Sequence, residues 1–360
     1  MKSNKVYIIA EAGVNHNGRM DFAFELIEAA KETGADAIKF QIFTAANLVC
    51  KNLQTVNYQR ENTGGLENQY EMLKNLELSF EQINELKSFA EKKKIDFVAS
   101  PFDLKSLQFL IDIDIKFLKI ASGEIINSPL LWSAGKSGKD LVISTGMATA
   151  YEVETCLAII NHARSVEKAP KRLSEIWEKW NLGCLPNQIK KSVILLHCTS
   201  QYPTPVEHAN LGAMKTLKNK FGLNVGYSDH TDGTEISVAA VSCGAKVIEK
   251  HLTLDRELEG PDHTASCEPD EFKRMVGQIR NIEVALGDGK IICSMPERDT
   301  AKKVRQKLVA TNRIEKNELF TNNNLGTLRN EVGVSAIYFW DIIGKKAKKS
   351  YDLGDIIINE

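Results

Sequence analysis

The chain contains no closely paired cysteines, although it has seven cysteines in all. None of them forms a CxxC spacing, so the sequence predicts neither a disulfide framework nor a thiolate zinc site. It also contains no stretch of 18 uncharged apolar residues, and the N-terminus runs almost directly into VYIIAEAG. These absences predict neither a membrane-spanning helix nor a secretion signal. We therefore expect a protein of the reducing cytoplasm that has no membrane partner.

The chain also lacks an excess of either charge. Lys and Arg total 46 against 47 Asp and Glu, which gives a net charge of −1 over 360 residues. This balance argues against nucleic acid as the main partner. The segment GKSGKD at 135–140 lacks the GxxxxGK[ST] spacing, and no GxGxxG follows a predicted strand. Nucleotide binding is therefore not predicted.

The sequence does contain a regular alternation of short apolar segments and helical patterns. Capping boxes are expected at Ser79 with Gln82 and at Thr149 with Glu152. Eight strand–helix units predict a (β/α)₈ TIM barrel over residues 1–288, and an open doubly wound sheet is the alternative. The eight predicted strands lie at 6–13, 37–42, 97–102, 117–124, 141–147, 193–199, 225–230 and 246–252.

Two further regions differ from this alternation. Residues 164–192 are charged and lengthen one connection, and we interpret them as a surface excursion with a helical piece. After the barrel, residues 289–303 are expected to form a linker and residues 304–360 a small, mostly β domain. The strands predicted in that domain are 307–311, 319–321 and 355–359.

Polar residues stand where the predicted barrel strands end. In a TIM barrel these ends converge on one mouth, where active sites of this fold lie. So many polar groups would be costly to bury without partners, so we expect them to face one ligand pocket. The residues are Glu11, Lys39, Gln41, Ser100, Lys119, Ser122, Glu124, His197, Ser228, His230, Glu249 and His251.

Two histidines at the mouth predict a metal site. His230 and His251 end consecutive strands, so their imidazoles can share a divalent ion such as Mn²⁺ or Zn²⁺. The alternative is that both are simply hydrogen-bonded histidines of the mouth.

The lysines and serines at the mouth predict a cradle for phosphate or carboxylate groups. Lys119 or Lys250 could instead be a Schiff-base nucleophile. Glu124 follows a small-residue turn and is a candidate acid/base or a structural salt-bridge partner. Glu11 and Asp262 are weaker candidates, because isolated carboxylates at loop starts often cap helices.

Eight segments, taken together, resemble the sialic acid synthase family over roughly residues 6–160 and 193–360. In order they are IIAEAGVNHNG, KFQ, KIASGE, STGM, LHCTSQYPTP, GYSDHT, EKHLTLD and GPDH. The resemblance implies a TIM barrel followed by a C-terminal antifreeze-like (SAF) β-clip domain. It also implies condensation of phosphoenolpyruvate with an open-chain N-acylated mannosamine-type sugar and water. The products would be a nine-carbon 2-keto acid and phosphate, and the reaction would need Mn²⁺ or Mg²⁺.

The resemblance also implies a role for each matched residue. His230 and His251 would hold the metal, and Glu124 and Glu11 would be the catalytic carboxylates, with Glu11 also meeting the sugar. The sugar would further contact Gln41, Tyr202, Asp262 and Arg329. The phosphoenolpyruvate would be bound by Lys39, Ser100, Lys119, Ser122, Ser200 and Ser228.

The family resemblance further implies a domain-swapped homodimer in which Arg329 reaches the partner's mouth. The family pattern there is RPGxG, whereas this chain has RNEVG. The amino-acid sequences of the motifs favour an N,N'-diacetyllegionaminate product, with N-acetylneuraminate as the alternative. A two-histidine metallohydrolase and a non-catalytic carbohydrate-binding protein are the remaining hypotheses.

Overall fold

The structure, a computed structural model, describes residues 5–62, 68–181 and 185–358. The chain divides into two compact units, Met1–Gly287 and Asp288–Glu360. The first unit is built on eight strands, which are β1 (Tyr7–Gly13), β2 (Ala37–Ile42), β3 (Asp96–Pro101), β4 (Leu118–Ile120), β5 (Leu141–Ser144), β6 (Val193–His197), β7 (Asn224–Asp229) and β8 (Val247–His251).

These strands form a parallel barrel. Their hydrogen-bonded order is β3-β2-β1-β8-β7-β6-β5-β4, and β3 lies beside β4 at the remaining junction. Because β1 pairs with both β2 and β8, the first and last strands of the barrel are neighbours. The predicted TIM barrel is confirmed, and the alternative of an open doubly wound sheet is wrong.

Helices occupy the connections between these strands. Those of the first unit are α1 (Met20–Thr33), α2 (Ala45–Leu48), α3 (Asn57–Asn62), α4 (Gln69–Leu76), α5 (Phe80–Lys93), α6 (Leu104–Asp112), α7 (Ser128–Lys136), α8 (Ala150–Ser165), α9 (Leu173–Trp177), α10 (Asn187–Ser192), α11 (Gly212–Phe221), α12 (Glu235–Ser242) and α13 (Pro269–Ala285). None of the helices among the described residues is long and apolar enough to cross a membrane.

Local sequence signals begin several of these helices. Ser79 Oγ accepts from the Gln82 backbone N–H, and the Gln82 side chain accepts in return from the Ser79 N–H, at the start of α5. Thr149 and Glu152 make the same reciprocal pair at α8. Both predicted capping boxes are confirmed.

The long connection at 164–192 contains α9 and α10, and residues 182–184 lie outside the described part of the chain. Trp177 stacks on Tyr151 with ring centroids 5.5 Å apart. Trp180 donates its indole N–H to Glu154 at 3.0 Å. Both tryptophans therefore attach this excursion to α8.

The second unit has its own small core. Strands β9 (Gln306–Ala310) and β10 (Leu325–Arg329) pair antiparallel, and Leu308, Phe320 and Tyr351 are buried together beneath them. Helix α15 (Phe339–Ile342) lies in the same unit. The predicted linker contains helix α14 (Met295–Val304), whose start is capped by Ser294 and Glu297.

Two strand predictions in this unit were wrong. Within 319–321 only an isolated bridge from Leu319 to Lys346 forms, and within 355–358 only one from Ile356 to Val309; residue 359 lies outside the described residues. Strand β10 was not predicted, because three of its five residues are exposed and LGTLR lacks the apolar alternation of a half-buried strand.

Candidate active site

A change of polarity inside the barrel creates the site. Side chains two residues apart on a strand point to the same face. An apolar layer fills the lower interior with Ile9, Ala37, Val98, Phe117, Val142 and Val247. Two residues further along the same chain segments come Glu11, Lys39, Ser100, Lys119, Ser144 and Glu249, which line a cavity of about 360 Å³.

Four buried charges meet at the floor of this cavity. Lys39 Nζ lies 2.6 Å from Glu11 Oε2 and 3.6 Å from Glu249 Oε2. Lys119 Nζ lies 3.2 Å from Glu249 Oε1, which also accepts from Ser228 Oγ at 2.8 Å. Two carboxylates therefore neutralise two ammonium groups away from bulk water.

Burial and the neighbouring charges shift the pKa values in this network. Burial lowers the pKa of Lys39, but the carboxylates of Glu11 and Glu249 outweigh it and the pKa is raised. The pKa of Lys119 is lowered, because burial outweighs the attraction of Glu249. Burial acts to raise the pKa of Glu249, yet the two lysines bring it down to about 2. Glu249 is therefore the fixed anion between the lysines.

Hydroxyl groups extend the lysine pair into a cradle. Ser100 Oγ lies 3.3 Å from Lys39 Nζ, and Ser122 Oγ accepts from the backbone N–H of Gly146 at 3.2 Å. A Cβ added at Gly146 would lie 2.3 Å from Ser200 Oγ and 2.7 Å from Ser122 Oγ. The glycine of STGM thus lets both hydroxyls approach the same point, as an anion cradle requires.

His230 and His251 come together as the sequence predicted, with ring centroids 5.5 Å apart. The Nδ1–H of His230 donates to the Thr199 carbonyl at 2.7 Å, which leaves Nε2 with a lone pair. Nδ1 of His251 is buried and makes no hydrogen bond to any described residue, and Asp262 Oδ2 lies 4.0 Å from it.

Both histidines are suited to bind a cation. Burial lowers the pKa of His230 to about 4. Burial, followed by the charge of His230, lowers the pKa of His251 well below its ordinary value, so both rings are neutral near pH 7. No cluster of three His, Cys, Asp or Glu side chains arranged for a metal occurs within the described ranges. The pair would therefore leave most positions on an ion open to water or substrate.

The other predicted sugar contacts lie around the histidines. The Tyr202 ring centroid is 4.2 Å from that of His230, and Gln41 Nε2 donates to Glu11 Oε1 at 3.4 Å. Burial, reinforced by the charge of Glu11, raises the pKa of Asp262 to about 7. All of these residues line the same cavity.

One predicted site residue of the barrel does not line the cavity, and another belongs to the second unit. Glu124 accepts from Asn127 Nδ2 at 2.6 Å, and the preceding Gly123, but not Glu124 itself, lines the cavity. Arg329 is an exposed residue at the end of β10, in the second unit.

Lys250 faces away from the cavity. Its Nζ binds Asp229 Oδ2 at 3.1 Å and the Thr231 carbonyl at 2.8 Å, so the Schiff-base role considered for this lysine is excluded by its position. His197 also stays outside, with Nε2 2.9 Å from the Ala209 carbonyl. Glu249 was expected at the mouth, but its pairing with the lysines was not predicted, although its position two residues after the buried Val247 was the available signal.

Comparison with known proteins identifies relatives over the whole chain. The family model described as "NeuB family" matches residues 26–291. An N,N'-diacetyllegionaminic acid synthase of Campylobacter jejuni is 42% identical, covering 98% of this chain and 99% of that protein. A protein of the same name from Legionella pneumophila is 40% identical, covering 98% of this chain and 94% of that protein.

A solved structure also resembles the chain. The N-acetylneuraminic acid (sialic acid) synthetase of Leptospira borgpetersenii, crystallised with citrate, is 36% identical and superposes with a TM-score of 0.67. The match covers 83% of this chain and 92% of that one.

The charge network predicts unequal costs for losing its two lysines. Lys39→Met leaves Glu11 without its nearby cation, and we expect the free energy of unfolding to fall by about 3–5 kcal/mol. Lys119→Met should cost about 1–3 kcal/mol, because Glu249 keeps Lys39 and Ser228. Urea unfolding of the two variants measures the difference.

The double variant Lys39→Met/Glu11→Gln is the control for this network. It removes the stranded carboxylate and should recover part of the stability lost in Lys39→Met, because Glu249 retains Lys119. Equal losses for both single lysine variants, with no recovery in the double variant, would show that Glu11 and Lys39 are not coupled.

Proposed function

The chain belongs to the NeuB family, and from this premise we propose that it joins phosphoenolpyruvate to open-chain 2,4-diacetamido-2,4,6-trideoxymannose. The products are N,N'-diacetyllegionaminate and inorganic phosphate, with one water consumed. The observation that carries this proposal is one cavity that combines a lysine–serine cradle with a pair of neutral histidines. The chain is thus a carbon–carbon bond-forming synthase.

The choice of acceptor rests on the relatives. The two proteins at 42% and 40% identity carry the name N,N'-diacetyllegionaminic acid synthase. The structural relative at 36% identity is named for N-acetylneuraminic acid. Condensation with N-acetylmannosamine to give N-acetylneuraminate is therefore the alternative.

The proposed reaction makes one carbon–carbon bond and, from water, one carbon–oxygen bond, and it breaks the carbon–oxygen bond to phosphate. The methylene carbon of phosphoenolpyruvate attacks the sugar aldehyde, and the former enol carbon becomes electron-poor. Water adds at that carbon and loses a proton, and the tetrahedral intermediate expels phosphate by C–O cleavage. Lys39 and Lys119 hold the phosphate and carboxylate through these changes of charge, with help from Ser100, Ser122, Ser200 and Ser228, as preorganised donors do in other active sites.

Carboxylates would manage the proton at the aldehyde oxygen. Glu124 is the proposed donor, because burial raises its pKa and favours the protonated form. It follows Gly123, which lines the cavity. Glu11 lies on the cavity floor beside Gln41, where we propose that it contacts the sugar and shares this role.

His230 and His251 would hold the divalent ion, Mn²⁺ or Mg²⁺. The lone pair on His230 Nε2 and the unpartnered Nδ1 of His251 fit such an ion. When bound, the ion supplies Lewis acidity toward the aldehyde carbonyl. Tyr202, whose ring lies beside that of His230, and Asp262 would orient the sugar next to it.

The second unit is proposed to serve a partner's site. We propose that it is the SAF domain of a domain-swapped homodimer and that Arg329 contacts the acceptor's N-acyl group in the partner's cavity. The exposure of Arg329 at the end of β10 suits such a contact, and the following NEVG would give this loop a different course from the family's PGxG. The six described cysteines are unpaired, which supports a cytoplasmic setting.

The first test measures phosphate release from phosphoenolpyruvate with Mn²⁺ and either acceptor sugar. We expect at least about tenfold higher kcat/KM with the trideoxy sugar than with N-acetylmannosamine, equal to about 1.4 kcal/mol in transition-state binding. The reaction without sugar is the control. Release that needs no sugar would refute the synthase and indicate a metallohydrolase.

The metal assignment predicts the behaviour of His251→Ala. Loss of a group that only hydrogen-bonds to a metal ligand lowers metal affinity by about 10–100-fold. Loss of a ligand itself should lower the Mn²⁺ affinity, measured by calorimetry, by more than this, and turnover should be abolished. His197→Ala is the matched control, since His197 hydrogen-bonds to a carbonyl outside the cavity. Full Mn²⁺ binding by a folded His251→Ala protein would refute the assignment.

The dimer proposal predicts a selective defect in Arg329→Ala. KM for the sugar should rise about tenfold or more, because a charged hydrogen bond worth about 1.5–3 kcal/mol is lost, while KM for phosphoenolpyruvate stays unchanged. Arg305→Ala, at an exposed arginine just before β9, is the control. Equal effects on both substrates would argue against this contact.

A further inference from the structure

The cavity has a second wall of opposite character. Helix α4 lies in the connection after β2, which places it on the mouth side of the barrel. Gln69, Met72, Leu73 and Leu76 all line the cavity, and their spacing of i, i+3, i+4 and i+7 places them on one helix face. This α4 face presents one amide and three apolar side chains to the cavity.

Apolar residues from neighbouring loops support the α4 face. Met72 and Leu76 are buried with Val14 and Phe43 in a cluster separate from the barrel core, and Phe102 packs against the same cluster and also lines the cavity. A hydrophobic wall is therefore built into the site.

The helix is also held at its start. The Asn68 side chain accepts from the backbone N–H groups of Tyr70 and Glu71 at 2.9 and 3.2 Å, which caps α4. Capping and burial together keep the α4 face in place before any ligand arrives.

This apolar wall does not suit phosphoenolpyruvate, because the charged groups of that substrate require the lysine–serine cradle. We propose that the α4 face selects the acceptor by packing against its deoxygenated end, with the C6 methyl and an N-acyl methyl on Leu73 and its neighbours. The side-chain amide of Gln69 is suited to hydrogen-bond the amide of the N-acyl group whose methyl packs on this face. This inference rests on the proposed function and names the residues that choose its substrate.

Selection by this wall works against hydroxyl groups. A C6 hydroxyl placed against Met72, Leu73 and Leu76 would lose water without gaining a partner. An apolar pocket rejects an added hydroxyl by about 100-fold at most. The chain should therefore prefer the trideoxy sugar over N-acetylmannosamine by between about 10-fold and 100-fold.

Leu73→Asn tests this role, because it keeps the size of the side chain and adds an amide to the wall. We expect the ratio of kcat/KM for the trideoxy sugar over N-acetylmannosamine to fall about tenfold or more, with KM for phosphoenolpyruvate unchanged. Leu73→Met should restore the wild-type ratio. Glu71→Gln, on the exposed side of α4, is the matched control and should leave the ratio as it is.

Val14→Thr provides an independent test from the turn after β1 and is used if Leu73→Asn does not fold. It exchanges one methyl for a hydroxyl at a buried residue of the same cluster, and the ratio should fall in the same direction. An unchanged ratio in a folded variant that still releases phosphate overturns the role of the α4 face and leaves the proposed function intact. A wild-type protein that releases no phosphate with either sugar overturns the proposed function itself.

Discussion

The buried network of Glu11, Lys39, Glu249 and Lys119 is the interaction on which the rest of the site depends. An isolated charge is costly in the interior of a protein, and each of these charges is tolerated because an opposite one lies within 3.6 Å. The pairing favours the charged form of Lys39 and fixes both lysine amines at the cavity floor before a substrate enters. An anionic ligand then meets positive charge whose position has already been set.

Strand register determines which charges can meet. Glu11 lies opposite both Lys39 on β2 and His251 on β8, and Ser228 lies opposite Glu249. A slip of one residue in any of these strands would exchange the interior and exterior side chains. The apolar layer beneath, with Ile9 and Val247 inside the barrel, therefore also holds the charged layer above it in register.

The sequence was sufficient to predict those parts of the fold that depend on residues close together in the chain. The buried parallel strands are mostly apolar before their C-terminal ends, so the barrel could be predicted from the length and spacing of these segments. The capping box at Ser79 depends on neighbours three residues apart. The shared cavity followed once the strand ends were placed together. Glu249 was missed as a partner of the lysines because its contacts cross from β8 to β2 and β4. Strand β10 was missed because its half-exposed surface leaves no periodic pattern.

The two walls of the cavity come from different parts of the fold, and this separates chemistry from selection. The cradle and the histidines stand on strand ends, where register and buried pairing leave little freedom to change. The α4 face belongs to a connection whose apolar cluster is distinct from the barrel core, so its side chains can change without disturbing the strand register. Active sites of this fold commonly vary through their loops while the barrel stays constant. Substitutions that change which acceptor sugar is used are therefore expected to fall first in α4 and to leave the lysine network unchanged.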